Sequence, residues 1–578
     1  MTAEVLAFSL DATFPLAQTI NWWPAFLTPL WLLGVGVALG AAAVVIAYVL
    51  LTLLSFIPPL GHLADNRKAG VAVSLILGAI ATAALCYLYV PRVGDGENAA
   101  TLILPLAVLG VISGFAVVYG MWHRTRGDWV RLLGEGPMPY LLSTIGIVTA
   151  VGLLSTPLVV DRDDILDSIK RVNLFDDGVQ VYERQFGGGG DTFEPADVDY
   201  LFRNLSEVRI ESDRAIELAD GPNTLAFSGA PTKVFPDEPL VYRYVDRDEP
   251  PIPVDPTQLH VRNNEADAAK VRFTFSSRPD IPQATSVVVI AIAFFVLIVA
   301  MMAFRQAAPR VYALALSTCK SEMAQPLYLL LLGLGIFIVL FFGFFPFNTL
   351  GDDIRVLKDS GVTLIMVMGM LQAVWSAGTS VSDEIEGRTA LTVLSKPVSR
   401  RSFILGKYAG IMLAVLVLFV IISAVLLVVI SYKPIYEARE TTRGATTWQM
   451  GHDEIMSTMP VLGLYFMETA AIAAVAVALA TRLPLLANFL TCFVVYVIGN
   501  LTSTIVLSGG QKIELVRFVG KLIAVVIPNL NNFNVQSAID TGNSIPIVYL
   551  AAAFNYFICF AIMVWMLAML LFEDRDLA

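Results

Sequence analysis

Few residues in this chain could do chemistry, and the densest group of them lies in one stretch. Residues 382–407 read SDEIEGRTALTVLSKPVSRRSFILGK. The stretch opens acidic, turns moderately apolar at helical spacing, breaks at Pro397 and closes basic. A short amphipathic helix of this kind suits a groove on a partner protein; the plainer reading is a basic anchor at a membrane surface. Glu468 is the second candidate. It falls well inside the apolar run 456–480, where an ionisable group is costly and by default marks a functional site. The ordinary alternative is a carboxyl hydrogen-bonded inside a helix bundle. Ala470, Ala471, Ala473, Ala474, Ala476, Ala478 and Ala480 follow it, which also suits close packing at a subunit interface. Gln372, Asn488, Asn500 and Asn555 are weaker intramembrane candidates and serve equally well as hydrogen bonds between helices.

No catalytic set can be assembled from the remaining residues. The four His (62, 123, 260 and 452) are scattered along the chain. His452-Asp453-Glu454 reads as a solvated outer loop, with a metal site there as the lesser alternative. No CxxC pair suggests a metal, and Cys86, Cys319, Cys492 and Cys559 lie in or beside apolar runs, so no disulfide framework is written. A phosphate-cradling GxxxxGK[ST] loop is absent: Gly406-Lys407 and Gly520-Lys521 lack both the preceding Gly and the following hydroxyl. Leu507–Gln511 spell LSGGQ, the signature of ABC ATPases, but without a phosphate loop it reads as a turn after a span. The expectation is a chain with no catalytic residue, no metal and no cofactor of its own.

These residues must be positioned by apolar helices. The chain is 56% apolar and 15% charged, with mean hydropathy +0.70, against about 45–50% and about 25% in an ordinary soluble protein. That excludes a soluble fold and disorder. Eleven runs are long enough to cross a bilayer: 30–57, 71–90, 101–122, 139–160, 286–304, 327–346, 361–381, 406–431, 456–480, 484–506 and 545–571. Gly36-x-x-x-Gly40 and Gly110-x-x-x-Gly114 hint at a dimer face. With the N-terminus outside, the short inner loops hold 15 Lys/Arg and the short outer loops 9, so the C-terminus falls inside. Residues 161–285 then lie outside. They hold 25 Asp/Glu against 14 Lys/Arg, which makes a nucleic-acid partner improbable. Alternating runs VQVYERQF, LVYRYV, QLHVRN and KVRFTF, with turn-rich intervals, predict a small β-sandwich there, with a short helix near Val198–Leu205. Two further segments, 310–324 and 513–526, read as interfacial helices.

The fold class is therefore an α-helical integral membrane protein of about 11 spans, with an extracytoplasmic, mostly β domain inserted between helices 4 and 5. Its parts are a four-helix membrane domain (1–160), the acidic β-rich domain (161–285), a tether helix and linker (286–309), and a six-helix domain (310–578). The stretch 382–407 strongly resembles the first cytoplasmic loop of ABC-2 type transporter permease subunits, through Glu386, Gly387, Arg388, Thr389, Leu391, Leu394, Pro397, Arg400, Arg401 and Lys407. A second match is Ile527-Pro528-Asn529-Leu530 followed by Phe533-Asn534. An elbow helix at 310–324 and six spans after it complete the likeness, which covers about residues 308–578. It is nearest the multi-copper enzyme maturation and gliding-type group, and residues 1–300 lie outside it.

The resemblance implies a mechanism. Residues 382–405 would be a coupling helix seated in a cleft of a separate ABC ATPase subunit, which would bind ATP and Mg. A second permease copy, identical or paired, would complete the pathway. Export, or force passed to outside proteins, is implied over uptake, in a bacterial cytoplasmic membrane. The 161–285 domain would meet substrate or an outside protein. Two other classes stand beside this one. One is an ion-driven secondary transporter using Glu468, although no inverted repeat supports it. The other is a non-transporting membrane scaffold assembled through 161–285. An intramembrane enzyme has no catalytic set behind it.

Overall fold

In hydrocarbon a chain must satisfy its own amides, so its long apolar runs fold as helices. The structure, a computed structural model, describes residues 22–93, 96–172, 178–189, 192–200, 202, 205–221, 231–236, 238–243, 252–253, 255–277, 279–345, 352–386, 399–441, 447–509, 527–536 and 545–573. Its long helices are α1 (Trp22–Leu54), α2 (Arg67–Tyr89), α3 (Gly96–Gly120), α4 (Met138–Leu154), α5 (Ala284–Ala307), α6 (Pro309–Met323), α7 (Pro326–Phe344), α8 (Asp353–Ala377), α9 (Arg400–Thr441), α10 (Trp448–Ala480), α11 (Leu485–Gly509) and α12 (Ile547–Glu573). Among the described residues, nine of them are long and apolar enough to cross a membrane. Helix α4 makes a tenth when joined to the bent segment His123–Gly134 before it, at 64°. This is the make-up of a multi-pass membrane protein.

Two compact units divide the chain. Residues 160–289 form one; residues 1–159 and 290–578 together form the other. The first four long helices thus share a core with the last seven, where the sequence suggests separate membrane domains. Helices α8, α9 and α10 are central, and α9 packs on α1, α4, α6, α7, α8, α10 and α12. Ser431 donates to the Phe26 carbonyl at 2.8 Å, tying α9 to α1, and Asn555 of α12 donates to the Thr101 carbonyl of α3 at 2.7 Å. Helix α9 runs 42 residues, past the expected end at 431. Lys433 does not end it because that side chain is buried against Asp353, at 3.3 Å. Proline starts both α6 and α7, where its missing N–H costs nothing.

The glycine pair in α3 is used inside the chain and offers no free dimer face. A Cβ at Gly114 would collide with the Ser74 carbonyl and the backbone of Gly78 in α2, and Gly110 meets Gly78 and Thr82. Gly40 likewise faces Ala291 of α5.

The 160–289 unit holds two four-stranded antiparallel sheets. Its strands are β1 (Val179–Phe186), β2 (Glu194–Pro195), β3 (Glu207–Ser212), β4 (Ile216–Ala219), β5 (Thr232–Val234), β6 (Leu240–Arg243), β7 (His260–Asn263) and β8 (Ala269–Ser276). They are ordered β1-β8-β3-β6 and β2-β7-β4-β5. Val208, Ile210, Val271, Phe273 and Phe275 of one sheet share a core with Ile216, Leu218, Val234 and Val261 of the other, which makes a sandwich. A short helix, Arg162–Lys170, precedes β1 and has no counterpart in the sequence reading. Residues 198–200 are not helical, and 201, 203 and 204 lie outside the described residues.

Gly114→Leu should force α2 and α3 apart and cost on the order of 1–3 kcal/mol, read as a lowered thermal unfolding midpoint in detergent. An unchanged midpoint would contradict this packing.

Candidate functional site

The residues around the 382–407 stretch gather at one end of the helical unit. Helix α8 leaves its regular ladder in a π-helical turn, Gly378–Ser382, and then makes the short helix Asp383–Glu386. Such turns interrupt the backbone ladder and recur at functional sites. Ser382 Oγ donates to the Leu483 carbonyl at 2.9 Å, which pins the turn to the α10–α11 connection. The chain returns at Ser399 and enters α9.

Both ends of the stretch are fastened by charge. Lys407 is buried, and its Nζ donates to Glu384 Oε1 at 2.5 Å. The Arg400 guanidinium donates to the carbonyls of Phe572 and Glu573 and lies over the Phe572 ring, 5.7 Å from its centroid. Arg482 Nε donates to the neighbouring Leu571 carbonyl at 2.7 Å. Two cations therefore meet the last turn of α12, where free carbonyls and the helix dipole favour positive charge. Arg401 is exposed. Gly387, Arg388, Thr389, Leu391, Leu394 and Pro397 lie outside the described residues, as does the Glu386 side chain. Lys407 and Arg400 thus anchor the stretch, Lys407 buried and Arg400 exposed.

A buried carboxyl that the sequence reading missed sits beside this anchor. Glu322, at the end of α6, accepts from Gln325 Nε2 at 3.0 Å and lies beside the hydroxyls of Ser376 and Thr379. Trp375 Nε1 holds Gln325 Oε1 at 3.0 Å. Helix α6 lies outside the spans, and burial pushes the Glu322 carboxyl up to about 7, while its hydrogen bonds and the charge of Lys407 pull it back. The signal was available: Tyr312, Ala315, Cys319 and Glu322 share the buried face of α6 at helical spacing.

Among the intramembrane candidates, Glu468 and Asn500 come together. Glu468 is buried and hydrogen-bonds the Asn500 side chain, which also donates to the Tyr496 carbonyl at 3.1 Å. Gln372 and Asn488 are apart from them. Gln372 donates to Ser376 at 2.8 Å, and Asn488 Oδ1 accepts from Cys492. Asn488 Nδ2 is buried without a partner among the described residues. Asn555 is the α12–α3 tie. Towards the N-terminal end of α10, Lys358 donates to Glu454 and Ser457, both at 2.7 Å. His452 is buried in α10 and no part of a solvated loop, and Glu454 turns to Lys358, so the 452–454 trio does not form a metal set. Helices α1, α4, α9 and α10 line an open apolar cavity of about 410 Å³, with Leu33, Val148, Phe419, Leu427, Met459 and Phe466 on its walls.

The Ile527–Asn534 segment packs between helices. Leu530 and Phe533 are fully buried, and the Asn529 backbone N–H donates to Tyr556 Oη at 2.7 Å. Of the LSGGQ stretch, Leu507–Gly509 close α11, and Gly510 and Gln511 lie outside the described residues with the 513–526 segment.

No family model matches this chain, and neither a curated protein nor a solved structure matches it.

A carboxyl raised on folding holds its proton more tightly in the folded state. The folded state is therefore favoured most below the ordinary value of 4.5 and loses that advantage as pH rises through about 7. Glu322→Gln should remove a pH-dependent loss on the order of 1–3 kcal/mol. Thermal unfolding measured from about pH 5 to 8 should be flatter in the variant than in the parent chain.

Proposed function

We propose that this chain is the membrane-spanning permease subunit of an ATP-driven transporter of the ABC-2 type, moved by a separate ATPase subunit docked on residues 382–405. The observation that supports this best is the fastening of both ends of that stretch. A loop that transmits force needs rigid roots. Here one root is the Lys407–Glu384 pair and the other is the Ser382–Leu483 bond, with Arg400 carrying the same rigidity into α12. A push on the loop would thus reach α8, α9 and α12 together.

On this reading α4 with its bent lead-in and α11 join the nine long apolar helices as spans, giving eleven. The N-terminus and the 160–289 unit face outside, and the C-terminus faces the cytoplasm of a bacterial cell. A second permease copy completes the pathway, the direction is outward, and the acidic β-sandwich meets substrate or an outside protein. ATP and Mg belong to the partner subunit. One observation favours a second reading, the ion-driven transporter: Glu468 is buried in α10 and bonded to Asn500.

The test is purification of the chain from its native host in mild detergent. A protein with a Walker phosphate loop should co-purify and hydrolyse ATP. Leu391→Glu with Leu394→Glu should lower its recovery roughly tenfold or more, the loss expected for a charged substitution at an interface core. The chain recovered alone, with transport that follows an ion gradient and is lost in Glu468→Gln, would favour the second reading.

A further inference from the structure

Two histidines 61 residues apart in sequence meet beside one aspartate. His62 lies just after the short helix Pro58–Gly61 in the α1–α2 connection, and His123 opens a 3₁₀ turn after α3. Their ring centroids are 4.5 Å apart, and one ligand atom from each of His62, Asp65 and His123 lies within 4.8 Å of the others. We infer that His62, His123 and Asp65 form a binding site for a divalent transition-metal ion of the Zn²⁺ class.

The hydrogen bonds prepare both imidazoles for this. His123 Nδ1 lies 3.0 Å from the Gly61 carbonyl, which can only accept, so that nitrogen carries the proton. That leaves the His123 lone pair on Nε2, which has no hydrogen-bond partner among the described residues. His62 Nδ1 lies 2.8 Å from Asp65 Oδ2, so these two ligand atoms already face one another, and an ion would take the place of the proton between them. For His123, a ring nitrogen held by a carbonyl with the other nitrogen open is the arrangement that orients imidazole ligands to metals. Two imidazoles with a carboxylate and solvent fit the nitrogen and oxygen preferences of zinc.

The two loops are also sewn together, so the ligands are positioned before binding. Arg126 donates to Ser55 Oγ at 2.7 Å and to the Ser55 carbonyl at 2.9 Å, and lies over the Phe56 ring. Trp122 Nε1 donates to Asp65 Oδ1 at 2.9 Å. Gly61 is required, because a Cβ there would strike the Ser55 carbonyl. A tetrahedral site with bonds of about 2.0–2.1 Å needs its ligand atoms roughly 3.4 Å apart. The exposed His62 ring can close that gap by rotation. One group opposes the cation: the Arg124 guanidinium lies 3.9 Å from Asp65 Oδ1, but its side chain is exposed and can swing away. A bound ion would clamp the α1–α2 connection to the α3–α4 connection.

The test uses the full chain in detergent, purified without a polyhistidine tag, and titrates Zn²⁺ against a chelating dye at neutral pH. The expected result is one ion per chain, with Co²⁺ giving visible absorption bands in its place. His62→Ala and His123→Ala should each weaken binding roughly tenfold or more, and Asp65→Asn roughly tenfold to a hundredfold. Arg124→Gln should tighten it by removing the competing cation. Size-exclusion profiles like the parent's would show that these variants fold, and His260→Ala should bind as the parent does. Absence of stoichiometric Zn²⁺ binding, or binding that survives both His62→Ala and His123→Ala, would overturn the inference.

Discussion

A buried ammonium group must meet an anion, and the pairing of Lys407 with Glu384 decides where the 382–407 stretch leaves and rejoins the helical unit. Removing one partner of such a pair leaves an uncompensated charge away from water, so the two ends are held in register. Around this pair the other contacts follow. Gln325, bonded to Glu322, ties the end of α6 to α8, Arg400 and Arg482 hold the carbonyl end of α12, and the π-helical turn redirects α8 into the stretch. Four helices and one loop are thus coupled through a handful of polar contacts. In the proposed reading, that is how a cytoplasmic ATPase would move the spans.

The first four helices are bound into the same unit. Ser431 to Phe26 and Asn555 to Thr101 are hydrogen bonds in an environment with little water to replace them, each worth roughly 1 kcal/mol. These bonds tie α9 to α1 and α12 to α3. The apolar cavity between α1, α4, α9 and α10 lies on that seam. In the proposed reading the permease-like part begins near residue 308; because the packing runs on past that point, residues 1–159 would move with it.

Much of this architecture could be read from local pattern. Alternation along Lys270–Phe275 marks β8, the mixed polarity of 310–324 marks α6, and the long apolar runs mark the spans, because each is set by neighbours within a turn or two. What escaped was set by distant partners. Lys433 looks like the end of a span until Asp353, eighty residues earlier, is seen beside it. His62 and His123 look scattered until two helical hairpins bring them together. The α3 glycines look like an outward face until Ser74 and Gly78 are found against them. Glu322 was legible in principle, since its position on the buried face of α6 follows from spacing alone. The acid-to-basic order of 382–407 was legible as a motif, but that Lys407 and Arg400 serve as its fastenings required the fold.

The most direct test of the central claim is a photoreactive residue placed at position 394 of the full chain in its native host, followed by illumination of intact cells. The account predicts a covalent adduct with an ATP-binding protein carrying a Walker phosphate loop, formed in good yield at 394 and not from a control position on the 160–289 unit. Adducts formed only with lipid or with this chain, while the ATPase candidates of the host are present, would contradict it.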